Sequence, residues 1–105
     1  MFFTISQNNS GGYFIRNDEV TETIIIEANS VEEAKRKAED ITRDYSQYCP
    51  CCGERWYEIE WLEYKDGYEE PCIYGEPISS CKASYYRTEC IIYYLDGTKK
   101  KVKLK

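Results

Sequence analysis

The chain opens with apolar residues on both sides of a polar insert. Phe2 to Ile15 encloses Gln7-Asn8-Asn9-Ser10-Gly11-Gly12, a composition suited to a loop with positive φ angles, and this predicts a β-hairpin. Val20 to Ala28 contains Ile24-Ile25-Ile26, a β-branched run that fits a central strand covered on both faces. A helix follows. Ser30 with Glu33 three residues later forms a capping box, and Val31, Ala34, Ala38, Ile41 and Tyr45 recur at spacings of three and four. Between them Glu32, Lys35, Arg36, Glu39, Asp40 and Arg43 make a solvated outer face of both signs.

Further along, Trp56 to Trp61 alternates, with Tyr57, Ile59 and Trp61 on one side and Glu58 and Glu60 on the other, the pattern of a half-buried strand. Lys65 to Pro77 holds Gly67, Pro71, Gly75 and Pro77 and predicts an irregular excursion. Near the end, Asp96-Gly97 sits between apolar runs as a two-residue type I′ turn. With Leu95 opposite Thr98, one face collects Leu95, Tyr93, Ile91, Val102 and Leu104 as core. The other collects Tyr94, Ile92, Cys90 and the lysines 99, 101, 103 and 105. The expected fold is α+β over a single domain, residues 1–105: an antiparallel β-sheet with hairpins at both ends and one amphipathic helix packed across it.

Composition changes this picture in two ways. Leu, Ile, Val and Phe together supply only 20 of 105 residues, so 11 Tyr and two Trp must complete the core. There is no His, which removes Ser/His, Cys/His and His-metal chemistry. No apolar run is long enough to cross a membrane and the N-terminus does not read as a signal peptide, so a cytoplasmic protein without membrane contact is expected. A net charge of −5 argues against general binding to nucleic acid.

The charge is unevenly placed. Residues 54–76 carry eight acids against two bases, and residues 82–105 carry seven bases against two acids. A lysine comb on the last strand, with Tyr94 and Ile92 between its teeth, suits an anionic ligand held by charge and stacking. Lysines also keep an edge strand from pairing with another chain, and that explanation competes with the first.

Six cysteines leave three readings open. Cys49-Pro50-Cys51-Cys52-Gly53 has the tight turn of a zinc knuckle, in which Cys49 and Cys52 present two thiolates to one ion. Two further ligands would have to come from Cys51, Cys72, Cys81 or Cys90, with Cys51 and Cys72 the first candidates, and these make no second C-x-x-C. Reduced thiols with a packing role are the second reading, and disulfide or redox chemistry the third. Phosphate-loop, dinucleotide and nucleophile-elbow motifs are absent, so no enzyme is expected.

Three strings occur in order: Gln7 to Gly12, Cys49-Pro50-Cys51-Cys52-Gly53-Glu54-Arg55-Trp56, and Ile73-Tyr74-Gly75-Glu76-Pro77. Together they resemble a family of small bacteriophage proteins with QNNSGG, CPCCGxRW and YGEP segments. The resemblance implies viral origin and expression in the host bacterial cytoplasm. By analogy with other small phage proteins it points to counter-defence: a non-catalytic accessory protein that sequesters a nucleotide-derived host immune signal. In such a site, backbone N–H groups of Asn8, Asn9, Ser10, Gly11 and Gly12 would cradle phosphate. Arg55 would pair with it, and Trp56 or Tyr74 would stack on the base. The alternative is an inhibitor that binds a host defence protein through the acidic, Tyr-rich region; a zinc-stabilised nucleic-acid-binding module comes third. A homodimer with a pocket shared between protomers suits so short a chain.

Overall fold

A computed structural model of the chain describes residues 1–7, 14–43, 48–49, 53–54, 56, 68–73, 76–82 and 88–104. Its centre is a four-stranded sheet built from β1 (Phe2–Ser6), β2 (Thr23–Glu27), β7 (Glu89–Tyr93) and β8 (Lys99–Lys103), in the order β1-β2-β7-β8. Between β2 and β7 lie the helix α1 (Val31–Thr42) and two small hairpins, β3 (Tyr48–Cys49) with β4 (Gly53–Glu54) and β5 (Cys72–Ile73) with β6 (Glu76–Pro77). Among the described residues no helix is long and apolar enough to cross a membrane.

The Ile24-Ile25-Ile26 run forms β2, inside the sheet, and all three side chains are fully buried. Burial of each contributes about 1.5–3 kcal/mol. Both faces of β2 are covered, as the run predicts. Ile24 and Ile26 point towards α1 with Ile5, Ala38 and Ile91. Ile25 points the other way, towards Ile73, Cys81, Cys90, Ile92 and Leu104.

The sheet is mixed rather than antiparallel. β1 and β2 run antiparallel, as do β7 and β8, but β2 and β7 are parallel, with Ile24 beside Ile91. Parallel neighbours need a crossover connection, and residues 28–88 supply one long enough to hold α1 and both small hairpins. The first hairpin is also different from the expected one. The partner of β1 is β2, and Phe14 and Ile15 belong to no strand.

Helix α1 forms where the sequence places it. Ser30 adopts an extended conformation (φ −153°, ψ 164°), and its side chain accepts from the Glu33 N–H at 3.2 Å. Glu33 Oε2 in turn accepts from the backbone N–H of Asn29 at 2.9 Å, one residue earlier than in the standard capping box. Ala34 and Ala38 face the sheet, and their small side chains let the helix lie close to it. Tyr45, expected on this face, lies outside the described residues.

The C-terminal hairpin is shifted by one residue from its expected register. Tyr93 opposes Lys99 and Cys90 opposes Val102. Tyr94 N–H donates to Thr98 O (2.8 Å) and Gly97 N–H to Tyr94 O (3.0 Å), so the loop has three residues, Leu95-Asp96-Gly97. Gly97 takes the left-handed position at φ +91°. Asp96 Oδ1 accepts from both Thr98 N (2.9 Å) and Thr98 Oγ1 (2.6 Å), which occupies the N–H that a two-residue turn would use.

This shift redistributes the faces. Val102 and Leu104 lie on the side of Cys90 and Ile92, and Leu95 is 47% exposed instead of core; Cys90 and Ile92, expected outward, are buried because the segment with Ile73 and Cys81 covers their face. The lysine comb divides with them. Lys99 stands over the Tyr93 ring at 5.9 Å and Lys101 meets Asp18 at 3.7 Å, whereas Lys100 pairs with Ile92, on the side of Tyr94. Lys105 lies outside the described residues.

The region expected to be an irregular excursion closes the opposite edge and face of the sheet. Tyr68 and Phe2 exchange two backbone hydrogen bonds of 2.8 Å, and Trp56 bridges Gln7, so β1 is met near both ends. The β5–β6 hairpin covers the face away from α1, where Thr4 Oγ1 donates to Cys72 O at 2.5 Å. The expected strand from Trp56 to Trp61 is described only at Trp56.

Candidate ligand-binding groove

On the face away from α1, the β7–β8 hairpin and the segment 70–79 leave an open groove of about 360 Å³. Ile92, Tyr94 and Val102 form its apolar floor, with Lys100 and Lys103 beside them. The opposite wall comes from the β5–β6 region and includes Glu70, Pro71 and Ser79. That wall is held by backbone bonds from Ile78 N–H to Pro71 O (3.1 Å) and from Ser80 N–H to Pro77 O (2.9 Å).

Two features make the groove a binding surface. The Tyr94 ring is set by Phe2, edge to face at 6.4 Å and 87°, so an aromatic group is presented in a defined orientation. Lys100 belongs to no ion pair among the described residues, so its charge is available to an anion; Lys103 opposes Glu89, and its side chain leaves β8 on the other face, with those of Lys99 and Lys101.

A second polar assembly lies at the other end of the sheet. The Gln7 carboxamide donates from Nε2 to Ile15 O (2.7 Å) and Thr21 O (2.6 Å) and accepts from Ile15 N–H at Oε1 (2.9 Å). It thereby closes both ends of the segment that contains the expected phosphate-cradling residues. Next to it, Glu22 is 1% exposed, and its Oε2 accepts from Arg16 Nε (2.9 Å) and from Thr88 N (3.2 Å) and Oγ1 (2.6 Å). Burial pushes this carboxyl up, but the Arg16 and Thr88 hydrogen bonds with the Arg16 charge outweigh it and hold the group below the ordinary carboxylate range.

Residues 1–105 match the family described as Domain of unknown function (DUF7296). The chain belongs to that family. No curated protein and no solved structure matches it.

Within this DUF7296 member the expected site residues fall in different places. Asn8, Asn9, Ser10, Gly11, Gly12, Arg55 and Tyr74 lie outside the described residues, as do Cys51 and Cys52. Trp56 packs against the cluster of Ile5, Ile24, Ile26, Ala38 and Ile91 on the helix side, with its Nε1 buried and without a hydrogen-bond partner. The groove is on the other face. Cys49 belongs to β3, and Cys72 is buried in β5. Among the described residues no three metal-binding side chains form a group.

Glu70, Ser79 and Lys100 are not singled out for the groove by the sequence, although Tyr94 and Ile92 are. The missing signal is the meeting of residues 70–79 with 92–103, which no local pattern encodes. Cys81 and Cys90 share the buried cluster beneath the groove, and burial, with the neighbouring Cys81, pushes the Cys90 thiol up to about 11.

Proposed function

We propose that this protein is a non-catalytic binding module that captures a small nucleotide-like anion in the groove beside Tyr94. The observation that supports this reading is the placement of Lys100 next to an oriented aromatic ring. Charge holds the anionic end, and the ring offers a stacking face at a modest entropic cost. In the setting its sequence resemblance implies, a bacteriophage protein in the host bacterial cytoplasm, capture withdraws a nucleotide-derived immune signal and counters defence. The Asn8 to Gly12 loop, Arg55, Trp56 and Tyr74 remain a second proposed ligand contact, and Cys49 and Cys52 a proposed zinc knuckle.

Native mass spectrometry tests these proposals on protein purified without chelator from ordinary bacteria and from bacteria with a triggered nucleotide-signalling defence. A nucleotide-sized mass increment is expected only after triggering, and Lys100→Ala removes it. The same spectrum reports zinc and a homodimer. An unchanged apo mass in both preparations overturns signal capture, and a host protein retained on the same sample replaces it with the protein-inhibitor reading.

A further inference from the structure

Resting on the proposed groove, we infer that its ligand is a mononucleotide whose base carries an exocyclic amino group, with Glu70 reading that amine. The groove is electrically polar across its width. Its cation, Lys100, belongs to β8, the edge strand, whereas Glu70 stands on the facing wall with Ser79. Glu70 takes part in no ion pair or hydrogen bond among the described residues, so its oxygens are free to accept from a ligand. A ligand anionic throughout would meet repulsion on that wall. One with a phosphate at one end and N–H donors at the other satisfies both walls at once.

Size narrows the class. An open groove of about 360 Å³ lies at the lower end of the range for small-molecule sites, which suits one nucleoside monophosphate. Lys100 supplies a charge for one phosphate group, and Tyr94 lines the same groove with a ring on which the base would rest.

The test is calorimetric titration of the purified full chain with adenosine monophosphate, with the purine ribonucleoside monophosphate that lacks the 6-amino group, and with ribose 5-phosphate. The wild type is expected to bind adenosine monophosphate about tenfold more tightly than the amine-free analogue, the loss expected when a hydrogen-bonding partner is removed. Glu70→Ala is expected to bind the two equally, and Lys100→Ala to weaken all three ligands. Because Glu70 is exposed, its replacement leaves the fold intact. Equal affinity of the wild type for the two nucleotides, or a preference that survives Glu70→Ala, overturns the amine-reading role while leaving anion capture standing. Failure of all three ligands to bind the wild type overturns both.

Discussion

Gln7 and Ile15 are joined as if they were neighbours on paired strands, except that one partner is a side chain. The Gln7 carboxamide donates to Ile15 O at 2.7 Å and accepts from Ile15 N–H at 2.9 Å, and its second donor bond reaches Thr21 O at 2.6 Å. Replacing Gln7 with Leu keeps the bulk and leaves three backbone groups without their partner. Each such group carries a penalty of about 1–3 kcal/mol where water cannot reach it. Urea denaturation is expected to show a loss of at least one such penalty for Gln7→Leu. Gln7→Glu is expected to lose more, since it sets a carboxylate against two carbonyl oxygens. Stability equal to wild type in both variants would remove the clasp.

The Glu22 carboxylate makes stability sensitive to acid. Its folded pKa lies below the ordinary value of 4.5, so its contribution is present above that pH and disappears as the pH falls through the folded value. The wild type is therefore expected to lose Tm more steeply than Glu22→Gln as the pH is lowered from 4.5. At pH 7, Arg16→Ala is expected to destabilise by about 1–3 kcal/mol, because it removes a partner of a buried charge although the Arg16 side chain is itself 45% exposed. Parallel pH profiles for wild type and Glu22→Gln would contradict this assignment.

Gly97 occupies the left-handed region at φ +91°, and a Cβ added there would touch nothing within 4 Å. The effect of a substitution is thus backbone strain alone. Gly97→Ala is expected to lower stability by about 1–2 kcal/mol and Gly97→Asn by less, since Asn tolerates this conformation better. Thermal denaturation of the two variants checks the order; Ala at least as stable as Asn would contradict the three-residue loop.

The thiols of Cys72, Cys81 and Cys90 are buried, and that of Cys90 is pushed up to about 11. The thiolate is the reactive form, so Cys90 is expected to resist an aromatic disulfide reagent at pH 8 in the folded protein and to react in denaturant. Mass mapping of the labelled cysteines identifies which react. Fast labelling of Cys90 under native conditions would show that the cluster around Ile25, Ile73 and Ile92 opens locally.

The amino-acid sequence determined what depends on neighbours within a few residues. Ser30 and Glu33 mark the start of α1 because a helix end leaves backbone N–H groups that only nearby side chains can reach. The Ile24 to Ile26 run specified a strand buried on both faces, since three consecutive β-branched apolar side chains leave neither side of the pleat polar. Asp96-Gly97 marked the last turn, but the choice between a two- and a three-residue loop rested on which acceptor takes the Thr98 N–H, and that one-residue difference reverses every face of β8. Only the tertiary structure decided that β7 lies parallel to β2, because backbone hydrogen bonds between segments whose paired residues are 67 apart are indifferent to local pattern. The groove follows from that placement. Lys100, Tyr94 and Glu70 are ordinary surface residues in sequence and become a site only where packing the β5–β6 segment against β7 and β8 brings their charges and ring together.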